Sequence, residues 1–235
     1  MWEFIDKAVY MNLEHREDRR IIMNKFFEEA KIPSEKVERF PAIRHEVGIV
    51  GCAMGHIAIL KRAKSQGWKS VLILEDDIRW IDFHTNYPKL ESLVNAQHWD
   101  VCMLGGLFLE YELPRIKMAF CTNAYIVQSH YYDTLLDNFE TGLRKKLDAG
   151  KPIFFAKTAQ SIAAYNNRVN LRNQYNVDVY WFKLQERDTW IGLEPMCDQL
   201  PTYSDIYNKV VVHQDANVET LLPYAQSLRS IMDIT

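Results

Sequence analysis

Residues 71–74 form a short, wholly apolar run that ends directly at three acids, Glu75, Asp76 and Asp77. The run is too short for a free-standing helix and is rich in β-branched side chains, so it predicts a buried strand. Three carboxylates within roughly 7 Å of extended chain repel one another. Side chains alternate along a strand, so we expect Glu75 and Asp77 to face one side and Asp76 the other. We therefore expect a fold in which a buried strand ends at a cluster of carboxylates.

Two carboxylates on one side of a strand end suit a hard divalent cation such as Mg²⁺ or Mn²⁺. These ions take one or two protein carboxylates and leave their other positions to water and substrate phosphates. Ligands of open α/β sheets bind beyond the carboxyl ends of the strands, which favours this interpretation. The alternative is a solvated strand end that leads into a turn or a helix N-terminus. If the acids do bind a cation, the rest of the chain must supply a nucleotide site.

Composition excludes several classes of protein. The 235 residues can bury a full core, and usual domain sizes favour one domain over residues 1–235. A net charge of −3 without Lys/Arg runs argues against nucleic acid and against a polybasic membrane anchor. No apolar stretch has membrane-spanning length and the N-terminus lacks a signal-peptide core, so we expect a cytoplasmic protein without an integral membrane segment. Four widely spaced cysteines without a CxxC pair indicate reduced thiols.

Strand and helix patterns alternate along the chain. We predict strands over residues 8–13, 37–43, 71–74, 99–104 and 118–127, and amphipathic helices after the first, second and last of these. The strand over residues 37–43 is expected at an edge because Pro41 interrupts it. Residues 107–116 are predicted to be a long connection that faces the acceptor or closes over the donor. The alternation favours an α/β sandwich with a mostly parallel central sheet flanked by helices.

The turn after the first strand, residues 12–20, contains groups that can bind a nucleotide. Backbone groups of Asn12 and Leu13 can read a uracil edge, and Arg16 or Arg19 can contact a phosphate in a bidentate manner. The alternative is that the arginines belong to a solvated helix N-terminus. Basic side chains are poorly placed near the positive end of a helix dipole, which favours the nucleotide-binding interpretation.

A set of short motifs occurs in a fixed order along nearly the whole chain. It comprises Asn12 and Leu13 with Arg16, Asp18 and Arg19; Gly51, Cys52, Ala53, Met54, Gly55 and His56; residues 72–77; residues 123–127; Asn176, Val177 and Asp178; and Ser204, Asp205 and Ile206. The set resembles glycosyltransferase family 25, which includes bacterial lipopolysaccharide β-galactosyltransferases and collagen hydroxylysine galactosyltransferases. Members of that family usually carry Ser where Gly55 stands.

The resemblance implies a Rossmann-like glycosyltransferase fold of the A type (GT-A), a UDP-sugar donor, and Mn²⁺ or Mg²⁺ as cofactor. It implies that Asp77 ligates the ion with Glu75, and that Glu75 or Asp76 binds the ribose or a metal-bound water. The expected reaction moves a sugar, galactose or glucose, to a hydroxyl of a glycan or hydroxylysine-type acceptor. The ion would bridge the diphosphate oxygens and stabilise the charge that develops as the sugar leaves.

The implied reaction inverts the configuration of the transferred sugar, and a single displacement of this kind needs a base for the acceptor hydroxyl. Asp178 is the first candidate because it follows the Asn176-Val177 motif in an otherwise apolar and aromatic stretch. The alternative is an aspartate that caps a helix beginning at Val179. Asp188 is the second candidate for the base.

Two histidines are of interest. GT-A enzymes often take a further metal ligand from a histidine near the C-terminus, and His213 fits because it ends an apolar, strand-like run. The alternative is a hydrogen-bonded structural histidine. His56, on a mostly apolar helix, is expected to be a buried hydrogen-bonding residue that braces the donor site rather than a ligand.

Three other functions compete with the transferase. A non-catalytic nucleotide-sugar-binding domain of the same fold is the main alternative, but Asp77 and a candidate base are both present. A metal-dependent phosphohydrolase would normally collect several His/Asp clusters, whereas the histidines here are scattered. A dinucleotide-dependent redox enzyme is disfavoured because no GxGxxG follows any predicted strand.

Overall fold

The computed structural model describes residues 1–149, 173–206, 209–211 and 218–232. The strands are β1 Lys7–Asn12, β2 Val37–Pro41, β3 Ser70–Leu74, β4 Ile78–Trp80, β5 Val101–Gly105, β6 Leu107–Glu112, β7 Arg115–Phe120, β8 Ala124–Gln128, β9 Trp190–Gln199, β10 Thr202–Ser204 and β11 Lys209–Val211. The helices are α1 Glu17–Glu29, α2 Gly48–Ser65, α3 Phe83–Ala96, α4 Tyr132–Asp148, α5 Val177–Tyr180, α6 Phe182–Arg187 and α7 Val218–Met232, with 3₁₀ turns over Ser34–Lys36 and Ser129–Tyr131. None of these helices combines the length and apolar character needed to cross a bilayer.

The central sheet is mixed. Its strand order is β2-β1-β3-β8-β5-β9-β7-β6, with β4 paired to β9. Strand β1 is parallel to both β2 and β3, and β5 is parallel to β9, whereas the other pairs are antiparallel. The α/β architecture and the edge position of β2 are confirmed, but the prediction of a mostly parallel sheet is wrong. Strand β8 is buried along most of its length although it is antiparallel, and a buried antiparallel strand has the same apolar sequence pattern as a parallel one.

Strand β3 separates two apolar cores. Val71 and Ile73 pack into the layer that contains α2 and α4, and Leu72 and Leu74 pack into the layer that contains α1 and α3. All four side chains are fully buried, and each such burial stabilises the fold by about 1.5–3 kcal/mol. The prediction of a buried strand before the acids is confirmed.

Two sequence predictions around β6 and β7 are wrong in detail. The predicted connection over residues 107–116 is a β-hairpin, because strands β6 and β7 pair from Leu107 to Phe120. Glu110 and Glu112 lie on β6, the outermost strand on this side of the sheet, and their charges obscured the strand pattern. The predicted continuous strand over residues 118–127 is broken at residues 121–123, where the chain passes from β7 to β8. Cys121 has a φ of 72°, a left-handed conformation that ends the extended chain.

Helix α2 approaches the sheet closely because glycines stand at the contact. A Cβ atom at Gly51 would lie 2.4 Å from the carbonyl oxygen of Ile43, and one at Gly55 would lie 2.6 Å from Sδ of Met11. Neither position can hold a side chain without movement of its neighbour. The close contact brings the residues between and after these glycines to the end of β1.

The carboxyl ends of β1 and β3 lie at one edge of the sheet, since these strands are parallel and Tyr10 is opposite Leu74. Strand β8 runs the other way, so it begins at this edge with Ala124 opposite Leu74. Loop 121–123 therefore reaches the edge beside the three acids. This convergence of strand ends and a loop is where ligands bind in open α/β sheets.

Candidate active site

A cleft of about 730 Å³ opens at this edge of the sheet. The apolar side chains that line it are Met11, Leu13, Ala42, Ile43, Ile49, Val177 and Ile206. The polar lining includes the acids Glu46, Glu75, Asp76, Asp77, Asp178 and Asp205, the basic residues Arg19 and Arg44, and His15 and His45. The cleft therefore contains both apolar side chains and a cluster of carboxylates. Such a lining suits a molecule with one flat and one charged part.

Asp76 is held inside the protein. Its Oδ2 accepts a 2.7 Å hydrogen bond from Nδ2 of Asn12, and its Oδ1 lies 2.6 Å from Nη1 of Arg19. Only 8% of its side chain is exposed, against 14% for Asp77 and 20% for Glu75. Asp76 therefore fastens the acidic segment to the turn after β1, while its two neighbours are more open to the cleft.

The Asn12 side chain is fully buried and uses each of its polar atoms. Its Nδ2 also donates to the backbone oxygen of Arg16, and its Oδ1 accepts from Nε of Arg39 at 3.0 Å. These contacts place the Asn12 side chain beneath the cleft. Leu13, the next residue, lines the cleft.

The two arginines of the turn form ion pairs within the protein. Nη2 of Arg19 lies 3.2 Å from Oδ2 of Asp77 and donates to the backbone oxygen of Tyr203. Arg16 pairs with Asp18 and, at 2.6 Å, with Asp205. Arg16 is outside the cleft lining, whereas Arg19 lines it with its guanidinium already shared among acids and the segment at residues 202–203. Both arginines tie that segment to the turn.

Asp77 has an incomplete set of partners. Its Oδ1 is buried and makes no hydrogen bond within the described part of the chain. Burial raises the pKa of Asp77 to about 7, and the charge of Glu75 adds to the rise, while Arg19 opposes it. A buried carboxylate with a free oxygen and acidic neighbours can serve as a ligand for a cation. The site therefore fits a divalent ion at Asp77.

Glu75 is oriented by the residues around it. Its Oε1 accepts a 2.8 Å hydrogen bond from Oγ1 of Thr122, and its Oε2 accepts one from Nε2 of Gln199 at 3.3 Å. Nε2 of His56 lies 3.9 Å from Oε1. His56 is fully buried and its Nδ1 is hydrogen-bonded to the Tyr125 hydroxyl at 2.8 Å, as expected for a buried histidine at this site.

Asp178 also lines the cleft, and it lies in the first turn of α5. That helix begins at Val177, with Asn176 at the N-cap position, so Asp178 is not the cap of a helix beginning at Val179. Burial raises the pKa of Asp178 to about 6; the charge of Glu75 adds to this, and a hydrogen bond from the backbone N–H of Cys121 opposes it. Loop 121–123 thus contacts Asp178 through Cys121 and Glu75 through Thr122.

Asp188, the second candidate for the base, is not at this edge. Asp188 precedes β9, whose first residue Trp190 is opposite Val101 at the start of β5. Its carboxylate accepts a hydrogen bond from Tyr131 and pairs with Arg187 at the opposite end of the sheet. His213 lies outside the described residues.

Sequence reasoning missed several residues of the cleft. Thr122 was placed inside a continuous strand, and Gln199 had no pattern to mark it. Arg44, an exposed residue of the loop before α2, was not considered as a ligand-binding residue. Cys52 could have been found, since it stands four residues before His56 and such pairs share one face of a helix.

No family model matches the chain, and no curated protein matches it. Solved structures match at low identity. A glycosyltransferase involved in the glycosylation of the major capsid of PBCV-1 is 9% identical over 95% of this chain and 98% of that chain, with a TM-score of 0.46. A mannose-1-phosphate geranyltransferase from Thermus thermophilus is 12% identical over 82% and 75% of the two chains, with a TM-score of 0.41.

A glucose-1-phosphate thymidylyltransferase from Bacillus anthracis, solved in complex with sucrose, is 10% identical over 81% of this chain and 69% of that chain, with a TM-score of 0.39. These similarities concern the general course of the chain. The function of the cleft is therefore inferred from its own side chains.

Proposed function

We propose that this protein is a metal-dependent, inverting glycosyltransferase of the GT-A type that uses a UDP-sugar donor. The observation that carries the proposal is the Asp77 carboxylate, which is buried at the cleft with one oxygen unpaired among the described residues and with a raised pKa. Such a group costs stability when it is ionised without a cation, and groups of this kind cluster at functional sites. The family resemblance agrees in placing the ion at Asp77.

The residues present fit Mn²⁺ or Mg²⁺. Asp77 and Glu75 offer carboxylate oxygens, which these hard ions prefer, and two protein ligands leave room for water and phosphate oxygens. When bound, the ion would neutralise the diphosphate and the charge that develops on the leaving group. Asp76, with its oxygens paired to Asn12 and Arg19, holds the segment in place.

The rest of the cleft suits a nucleoside diphosphate. The apolar side chains of Leu13 and Ile43 form a surface on which a flat base can lie, and backbone groups at Leu13 can read its edge. Arg44 is exposed at the cleft, and among the described residues no acidic group pairs with it. We therefore assign phosphate contact to Arg44 in addition to Arg19, whose guanidinium is already engaged by Asp76 and Asp77.

Asp178 is the base in this proposal. As the acceptor oxygen forms a bond to the anomeric carbon, the bond from that carbon to the diphosphate breaks and UDP leaves. The proton of the acceptor hydroxyl passes to the Asp178 carboxylate. A pKa of about 6 leaves this carboxylate ionised at neutral pH yet more basic than an ordinary aspartate, which suits a general base.

The test is release of UDP from a panel of UDP-sugars, including UDP-galactose and UDP-glucose, with simple glycosides or water as acceptor. We expect release that requires Mn²⁺ or Mg²⁺ and that falls by at least about 100-fold in Asp77→Asn, because a direct metal ligand is lost. Undiminished release without metal or in Asp77→Asn would refute the metal site. Donor binding without any release would favour the non-catalytic alternative.

A further inference from the structure

Three potential metal ligands meet at the floor of the cleft. The sulfur of Cys52, a ring nitrogen of His56 and a carboxylate oxygen of Glu75 all lie within 4.8 Å of one another. Cys52 and His56 are four residues apart on α2, so both project from the same face of the helix. The close approach of α2 at Gly51 and Gly55 brings that face to Glu75.

The His56 ring is fixed in an orientation suitable for a ligand. The residue is fully buried, and its Nδ1 is hydrogen-bonded to the Tyr125 hydroxyl. Its Nε2 is buried and has no hydrogen-bond partner in the described residues, although it lies 3.9 Å from Oε1 of Glu75. In the tautomer in which Nδ1–H donates to the Tyr125 oxygen, Nε2 carries the lone pair that a metal shared with Cys52 and Glu75 would use. An unpaired buried nitrogen costs stability, and a metal would satisfy it.

The donor atoms favour a cation of a particular kind. Cys52 is half-buried at the cleft, and its sulfur lies within 4.8 Å of the ligand atoms of His56 and Glu75. A set of one sulfur, one imidazole nitrogen and one carboxylate oxygen is a borderline-soft donor set. Zinc prefers such donors, and three protein ligands with an open fourth position are typical of reactive zinc sites. Mn²⁺ and Mg²⁺ prefer oxygen donors and would be selected at Asp77 instead.

We propose that Cys52, His56 and Glu75 form a second metal site, for Zn²⁺ or a similarly thiophilic divalent ion, at the floor of the cleft. Hydrogen bonds from Thr122 and Gln199 orient the Glu75 carboxylate, and Tyr125 orients the His56 ring. The site needs no nucleotide, so it stands or falls independently of the proposed transferase activity. Because Glu75 belongs to both proposed sites, Zn²⁺ bound here would compete for this carboxylate with an ion at Asp77.

The test uses Co²⁺ as a spectroscopic substitute for Zn²⁺ in the metal-free, full-length protein. Coordination by Cys52 gives a sulfur-to-cobalt charge-transfer band in the near ultraviolet, which oxygen and nitrogen donors do not produce. This distinguishes the site from His98, Asp100 and His130, a sulfur-free group at the other end of the sheet. Zn²⁺ should displace Co²⁺ and abolish the band at one equivalent.

Cys52→Ser and Cys121→Ser are the matched pair of variants, because both thiols line the cleft and only Cys52 belongs to the site. We expect Cys52→Ser to lose the band and to bind Zn²⁺ at least about 100-fold more weakly in competition with a chromophoric chelator. Cys121→Ser should keep both properties. Absence of the band in the wild-type protein, or its persistence in Cys52→Ser, would overturn the proposal.

Discussion

Replacing Asp77 by Asn should stabilise the metal-free protein, and the same substitution should abolish metal binding at this site. The Asp77 carboxylate is buried beside Glu75, and one of its oxygens is unpaired in the described residues. An amide of the same shape removes the charge without leaving a cavity. Residues selected for binding commonly lower the stability of the protein in this way. If the Asp77 carboxylate had a structural role instead, its neutralisation would destabilise the protein.

The magnitude follows from the pKa of Asp77. A rise from the ordinary 3.8 to about 7 disfavours the ionised form in the folded protein by about 4 kcal/mol. This is an upper bound, since the side chain is 14% exposed and can relax toward water in the cleft. Loss of the Arg19–Asp77 ion pair opposes the gain. We expect the free energy of unfolding to rise by about 1–2 kcal/mol at about pH 8.

The stability gained in Asp77→Asn should increase with pH. The folded-state pKa is raised, so on raising the pH the unfolded chain loses this proton first, near pH 4, and the folded protein loses it near pH 7. The wild-type protein is therefore destabilised progressively between these values, and the advantage of Asp77→Asn should be smaller at about pH 5 than at about pH 8.

Urea unfolding in the presence of a chelator, at both pH values, measures the difference. Asp137→Asn, which neutralises an exposed acid on α4, is the matched control and should change stability little at either pH. Added Mn²⁺ should stabilise the wild-type protein and not Asp77→Asn. Lower stability of Asp77→Asn than of wild type in chelator at about pH 8 would refute the reasoning.

Three further predictions concern the other residues of the account. Asp178→Asn should retain calorimetric binding of UDP with Mn²⁺ and lose transfer by at least about 100-fold; equal loss of both would indicate a structural role. Asp188→Asn should leave UDP binding unchanged, because the residue lies at the opposite end of the sheet, and weakened binding would contradict that placement. Gly51→Ala should lower the free energy of unfolding by about 1–3 kcal/mol, measured in urea, because its Cβ would meet the Ile43 carbonyl oxygen; an unchanged value would show that loop 42–47 yields freely.

Local sequence patterns predicted the elements that lie near one another along the chain. The apolar run at residues 71–74 predicted β3. The alternation expected for the three acids is wrong, because β3 ends at Leu74; Asp76 and Asp77 both contact Arg19, and all three acids line the cleft. The spacing of apolar residues predicted helix α2, which begins at Gly48. These features depend on periodicity and on the residues at element ends.

The direction of strands could not be predicted, because it depends on how the chain returns to the sheet. Strand β8 is as apolar as its neighbours and lies antiparallel between β3 and β5. The break at Cys121 was missed for a related reason. Residues 118–127 are compatible with one strand, and only the left-handed conformation of Cys121 separates β7 from β8.

The partners of charged side chains were the least predictable part of the site. Arg16 and Arg19 stand near a helix N-terminus, which suggested phosphate binding. In the folded protein, Asp205 and the backbone at Tyr203 approach them from almost two hundred residues away in sequence. Thr122, which orients Glu75, is likewise distant along the chain. Such contacts follow from topology and leave no local pattern.

Calorimetric titration of the wild-type protein with UDP, with and without Mn²⁺, tests whether the cleft binds a nucleoside diphosphate through a metal ion. We predict that UDP binds in the presence of Mn²⁺ and that removal of the ion weakens or abolishes this binding. Without a cation between them, the carboxylates of Asp77 and Glu75 repel the diphosphate. Absence of binding under both conditions would contradict the assignment of the cleft to a UDP-sugar.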